Sequence, residues 1–254
     1  LEECLHSEWW KTLFNETYIR TDGDVIENEA NTIQDIDIVL EVMNLEPAHK
    51  ILDMCCGQGR HCLELFHRGF GNITGLDYSE YLLDLGRKRA EEKGMNPVFV
   101  QGDVRNPPLA SESFDAIICM GNSFGYFSDS REDSLLIGRI TGLLKKGGRL
   151  FLDLSDGSAL RSSFEARSAE WLDDTTVVNR ERTLDRSGTR LISREIVYCT
   201  EKGLIADQIY AETLYSDADM RDMLEKNAFT DVCVHRAASV LSTRNEDLGM
   251  LAHR

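Results

Sequence analysis

The stretch Ile51-Leu52-Asp53-Met54-Cys55-Cys56-Gly57-Gln58-Gly59-Arg60-His61 constrains the fold more than any other part of the chain. A short apolar run passes directly into a turn with two glycines and then into a helical pattern. Glycine lets the backbone bend sharply and lets a ligand approach where a Cβ would clash. The helix start that follows offers unpaired N–H groups. Further apolar runs follow at Ile73–Leu76, Val98–Val100, Ala116–Met120 and Leu150–Leu154, separated by amphipathic stretches. Strands alternating with helices require right-handed crossovers and a parallel sheet buried on both faces, so the chain belongs to the doubly wound α/β class. Open sheets of this kind bind ligands outside the carboxyl edge of their strands, where the glycine turn lies.

Three carboxylates occupy three successive strand ends: Asp53, Asp77 and Asp103. A carboxylate at Asp77 is placed to accept from both hydroxyls of a ribose, and Asp103 from an adenine amino group. Each alone reads equally well as a loop or cap residue; the set of three carries the argument. The third glycine of a dinucleotide fingerprint is replaced by Cys62, which disfavours a nicotinamide cofactor.

The flanking segments have a different rhythm. Residues 1–46 read as a helical cap, with Ile33, Ile36, Leu40 and Met43 at helical spacing and Pro47 as terminator. Leu136, Ile140, Leu143 and Leu144 mark a helix closed by Gly147-Gly148. Residues 174–185, 189–200 and 205–215 predict an antiparallel meander, an insertion at about 174–215 in a main domain of 47–254. Ser216-Asp217-Ala218-Asp219 predicts a capping box opening a helix through Ala228. Strands near Asp231–Arg236 and Leu248–Arg254 close the sheet at seven.

In its ordered segments, Ile51–Gly59, Ile73–Ser79, Val98–Val104, Phe114–Phe127 and Leu143–Asp153, the sequence resembles the class I S-adenosylmethionine (SAM)-dependent methyltransferases. Cys55–His61 and Gly121-Asn122-Ser123-Phe124-Gly125-Tyr126-Phe127 look like a small-molecule branch of that superfamily. The resemblance implies a mostly parallel, Rossmann-like methyltransferase sheet and SAM as cofactor. It assigns Asp53, Cys55, Gly57 and Gly59 to the methionine end, with Cys55 standing where the family pattern has its first glycine. Asp77 would hold the ribose, Tyr78 would lie against the adenine, and Asp103 with the Val104 backbone would read its edge. Met120, Gly121, Asn122 and Ser123 would lie beside the transferred methyl. From the cap, Tyr18 is a candidate to face the sulfonium and Arg20 to pair with the cofactor carboxylate.

Of the 254 residues, 42% are hydrophobic and 28% charged, and the net charge is −16. Twelve acidic residues stand against three basic ones within residues 1–50. This balance argues against nucleic acid as partner, and no apolar run reaches the roughly 20 residues of a membrane helix. Seven scattered cysteines fit a reducing, cytoplasmic setting. The expected partner is a small-molecule acceptor, walled by Trp9, Trp10, Phe14 and Tyr18 of the cap and by Tyr198, Tyr210 and Tyr215 of the meander. No catalytic base stands out: His61, at a helix start, reads better as a structural residue. The Cys/His-rich loop lacks the paired spacing of a metal site. Tyr198-Cys199-Thr200-Glu201-Lys202 matches a dehydrogenase Tyr-x-x-x-Lys, but on a strand end rather than a helix. Two rivals remain open: a non-catalytic SAM- or partner-binding module, and an NAD(P)-dependent oxidoreductase.

Overall fold

The computed structural model describes residues 1–235 and 247–254. Four α-helices precede the first strand: α1 (Trp10–Leu13), α2 (Glu16–Thr21), α3 (Gly23–Ile26) and α4 (Glu29–Met43). The Asn28 side chain caps α4 by accepting from the Ala30 N–H, and Asn44, with φ of 46°, ends it in the left-handed region. The buried face of α4 is Thr32, Ile36, Val39 and Met43. It is turned from the expected stripe, so that Ile33 is exposed while Val39 joins Ile36 and Met43 in the core.

Strand and helix then alternate: β1 (Ile51–Met54), α5 (Arg60–His67), β2 (Ile73–Asp77), α6 (Glu80–Glu92), β3 (Val98–Gln101), β4 (Phe114–Cys119), α7 (Ser130–Leu143) and β5 (Leu144–Ser155). After α8 (Gly157–Ser163), β6 (Arg167–Trp171), β7 (Thr176–Leu184), β8 (Arg190–Cys199) and β9 (Gly203–Thr213) form an antiparallel four-stranded sheet in sequential order. The chain closes through α9 (Asp217–Lys226), β10 (Thr230–His235) and β11 (Asp247–His253). The main sheet has the order β10-β11-β5-β4-β1-β2-β3, with β11 antiparallel to both of its neighbours. All four residues of β1 are buried, as a central strand covered on both faces requires. The order reverses between β1 and β4, which opens a crevice at their carboxyl ends.

The expected capping box is present: Ser216 Oγ accepts from the Asp219 N–H, and Asp219 accepts from the Ser216 N–H. Two elements differ from the sequence reading. Gly147-Gly148 does not close a helix, because α7 ends at Leu143 and β5 runs through the pair. Gly147 takes φ of 76° there, and the register with β4 shifts between Phe114 and Ala116. The meander also gains β6, an edge strand with no buried residue and therefore no apolar alternation to reveal it. Arg236 lies outside the described residues. Among those described, no helix is long and apolar enough to cross a membrane.

Candidate active site

Three residues of the 55–59 turn are left-handed: Cys55 (φ 60°), Gly57 (φ 55°) and Gly59 (φ 72°). At Gly59 the restriction is twofold, since a Cβ would also lie 2.5 Å from the Phe99 ring. Cys55 bears the cost of a side chain in this region, and its thiol lies against Cys119; that contact and burial push it well above its ordinary pKa.

Asp53 is 1% exposed. Its Oδ2 accepts from the Cys62 thiol at 3.3 Å, whereas its Oδ1 is buried with no hydrogen-bond partner. Burial raises its pKa to about 7, against the opposing Cys62 hydrogen bond. Asp77 accepts from the Gly57 and Ser79 N–H groups, each at 2.8 Å, and so fixes the turn from the neighbouring strand. Burial nevertheless raises its pKa. His61 is buried with Nε2 3.0 Å from Asp35 Oδ2. Burial and the adjacent Arg60 charge bring its pKa down to about 4, so it stays neutral and structural.

Tyr78 is exposed and meets Trp10 edge-on at 5.0 Å. Asp103 is clamped by Arg105, whose Nη2 lies 2.6 Å from Oδ2. Burial works to raise the Asp103 pKa, but the guanidinium outweighs it and holds the carboxyl below its usual range. Arg105 also stacks over Trp10, with Cζ 5.0 Å from the ring centroid. Val104 is half-buried beside this cluster and packs against the main core.

Past β4, Met120 is buried, and Gly121 and Asn122 turn left-handed (φ 67° and 57°). Asp153 holds this turn: its Oδ2 accepts from the Gly121 N–H at 2.8 Å, and its carbonyl from the Asn122 N–H. Asn122 Oδ1 accepts from the Ser155 N–H at 2.9 Å, and its Nδ2 donates to Glu212 Oε2 at 2.5 Å. Ser123 Oγ donates back to the Met120 carbonyl.

A cavity of about 650 Å³ opens at Gly121 and Asn122. Trp9, Phe14, Tyr18, Tyr126 and Tyr210 supply its aromatic wall. The inward face of the meander supplies Arg180, Arg182, Glu195, Gln208 and Glu212. Arg180 donates to Glu195 Oε2 at 2.7 Å and to Glu170 at 2.8 Å, and Gln208 donates to Glu195 Oε1.

The structure thus gathers Tyr18, Gly121 and Asn122 at one cavity, beside the turn that Asp53, Cys55, Gly57, Gly59 and Asp77 build. Arg20 goes elsewhere: it donates to Asp173 Oδ2 at 3.1 Å and Thr176 Oγ1 at 3.3 Å, joining the cap to the meander. Arg60 faces the cavity instead, and a methyl built on Gly121 would lie 3.9 Å from its Nη2. Of the meander tyrosines, Tyr210 lines the cavity, while Tyr198 faces outward at 45% exposure. Tyr215 donates to the buried Asp133 at 2.7 Å. Trp10 sits with Tyr78 and Arg105 rather than in the cavity. Arg60, Asp153 and Glu212 were not singled out in the sequence; only Arg60, inside the glycine stretch, carried a local signal. Among the described residues no three His, Cys, Asp or Glu side chains gather to hold a metal.

A mostly parallel sheet whose order reverses beside a left-handed glycine turn, with carboxylates at the ends of its first strands, defines a doubly wound α/β protein with a ligand crevice at that turn. Residues 51–148 match a family model described as a methyltransferase domain. Glycine N-methyltransferase of Rattus norvegicus is 29% identical over 127 residues, 45% of this chain and 43% of that protein. The dTDP-3-amino-3,4,6-trideoxy-alpha-D-glucopyranose N,N-dimethyltransferase of Streptomyces venezuelae is 35% identical over 101 residues, 40% of each chain. The matched stretch therefore spans less than half the length of these curated relatives. The CcbJ methyltransferase structure from Streptomyces caelestis shares the fold, with a TM-score of 0.76, 18% identity and coverage of 95% of this chain and 98% of that one.

Proposed function

We propose that the chain transfers a methyl group from SAM to the nitrogen of a small-molecule amine. The observation that carries this reading is the unpartnered, buried Asp53 Oδ1 beneath a left-handed turn, next to a walled cavity that begins at Gly121 and Asn122. A buried acceptor without a donor is costly, and a cofactor N–H group at this turn would satisfy it. In this reading Asp53, Cys55, Gly57 and Gly59 take the methionine end, and Arg60 its carboxylate. Asp77 takes the ribose, and Tyr78, Asp103 and Val104 the adenine, for which Arg105 must share Asp103.

When bound, SAM supplies a methyl group already activated by the sulfonium. In-line displacement then asks the protein chiefly for alignment and exclusion of water. The aromatic wall excludes water, and Asn122 fixes Glu212 at the cavity's end. Glu212 holds the acceptor amine and takes up the proton released as the N–C bond forms. Glycine and an amino sugar are what the names of the two curated relatives give as their acceptors, which supports an amine here. Free thiols at all seven cysteines fit a reducing, cytoplasmic setting. Helical residues 1–46 act as a cap on the main domain of 47–254.

Calorimetry with SAM, its demethylated product and NADH tests the cofactor, and methyl-labelled SAM with an amine panel tests the transfer. Micromolar binding of SAM without NADH binding, and label in an amine, are expected. NADH binding without SAM binding would overturn the reading.

A further inference from the structure

The charges that face the cavity are answered unevenly. Arg180 is neutralised by Glu195 and Glu170. Arg60 is neutralised by Asp35, 2.7 Å from its Nη1. Arg182, the third guanidinium lining the cavity, donates to two neutral oxygens: the Glu165 carbonyl at 3.1 Å and Ser168 Oγ at 3.2 Å. No carboxylate among the described residues lies within ion-pair distance of it. An arginine cannot relieve this by losing its proton, and its planar fork of five N–H donors matches a carboxylate or a phosphate.

A simple anion would nevertheless be a poor occupant. Six carboxylates line the cavity (Asp22, Asp24, Glu165, Glu170, Glu195 and Glu212) against three guanidiniums. The cavity as a whole therefore favours a cation, while one place on its wall favours an anion. A molecule bearing both charges satisfies both demands.

Sheet register sets the spacing of the two poles. Arg182 pairs with Ser193, which pairs with Tyr210; Glu212 lies two residues further along the same inward face of β9. Two strand spacings and one two-residue step separate the backbones of Arg182 and Glu212 by about 12 Å. Both side chains are long and line the same cavity, which leaves a span suited to a compact molecule rather than a polymer.

We propose that the acceptor is a small amine that also carries an anionic group, a carboxylate or a phosphate, with the amine at Glu212 and the anion at Arg182. This rests on the amine methyltransferase reading and adds the substrate's second charge to it. Arg182 is then a specificity-determining residue, remote from the transferred methyl.

The test is a kinetic comparison of acceptors that differ only in the anion, with methyl-labelled SAM and the wild-type protein. Glycine against glycinamide probes a carboxylate, and glucosamine 6-phosphate against glucosamine probes a phosphate. The charged member of one pair should exceed its neutral partner at least tenfold in kcat/KM, and the pair that shows it identifies the anion. Arg182→Gln should raise KM for that charged acceptor ten- to a hundredfold, with a distinctly smaller change for the neutral one. SAM affinity should be preserved, and Arg182→Lys should recover part of the loss. Methylation of neutral and charged amines at equal efficiency would overturn the proposal while leaving amine methylation intact. So would an equal KM rise for both acceptors in Arg182→Gln. SAM binding with no amine methylated would overturn the underlying function together with this refinement.

Discussion

The glycine turn and the meander face adjoining spaces but are built by opposite means. The turn presents backbone: three left-handed residues within five positions, the Gly57 amide tied to Asp77, and one buried carboxylate oxygen without a partner. The meander presents side chains: Arg180, Glu195 and Gln208 project from neighbouring strands and hold one another in place, and Glu212 is held by Asn122. A backbone device is specified by a few adjacent residues, so it suits an invariant ligand. A side-chain device is spread over strands and can change one position at a time, which suits a variable ligand.

The sharpest way to separate the two is a pair of glycine substitutions. A Cβ at Gly157, at the start of α8, would lie 2.4–2.6 Å from backbone atoms of Leu214 and Tyr215, just after the meander's last strand. Backbone cannot step aside as a side chain can, so Gly157→Ala should cost about 3 kcal/mol or more, read as a fall in the thermal midpoint with loss of turnover. Gly59→Ala combines a positive φ with contact on Phe99 and should weaken SAM binding about a hundredfold, measured by calorimetry. If Gly157→Ala instead abolished SAM binding in the folded protein, the two regions would not be separable.

Asp77→Ala should weaken SAM binding ten- to a hundredfold, since hydrogen bonds to a charged group are worth about 1.5–3 kcal/mol. An unchanged dissociation constant in folded protein would remove Asp77 from the cofactor site. Glu212→Gln keeps the shape and a hydrogen bond but loses the charge. Turnover should fall about tenfold or more with SAM affinity intact, and parallel losses in both would place Glu212 in the cofactor site instead.

The pH dependence of stability distinguishes the regions by a different readout. Asp133, beneath the meander, is fully buried with Oδ1 unpartnered, and burial raises its pKa from 3.8 to about 7 against the opposing Tyr215 hydrogen bond. The native state therefore holds this proton more tightly than the unfolded chain. Stability should fall as pH rises from about 4 to about 7 and level off above. The full shift corresponds to roughly 4 kcal/mol at ~1.4 kcal/mol per pH unit. Asp133→Asn should flatten that slope in thermal melts, and an unaltered slope would assign it to Asp53. Smallest of all, Tyr198→Ser on the outward face should leave acceptor kinetics at the wild-type values.

The same contrast decides what could be read from sequence. Asp53, Gly57, Gly59 and Asp77 announce themselves because strand, turn and helix are contiguous. The central strands do so because they are apolar throughout. Glu212 is brought to Asn122 across 90 positions, and nothing near either residue signals the pairing. Strand β6 escaped because an exposed edge strand has no buried side to alternate with. The direction of Arg20 was misread because a short helix two turns long gives no periodicity to orient it. Arg60 lies inside the glycine stretch, but its place as the first residue of α5 gives no local sign that its side chain turns to the cavity.

The contacts between cap and meander have an evolutionary consequence. Arg20 reaches Thr176 across 156 positions, and Arg180 donates to the Thr21 carbonyl across 159. Two segments distant in the gene therefore share one latch, and neither can drift to a new shape alone. In a chimera with a relative, exchanging the meander by itself would leave both arginines facing foreign partners. Exchanging residues 1–46 and the meander together would carry the latch across intact, so acceptor preference should be inherited as a two-piece unit around an unchanged cofactor core.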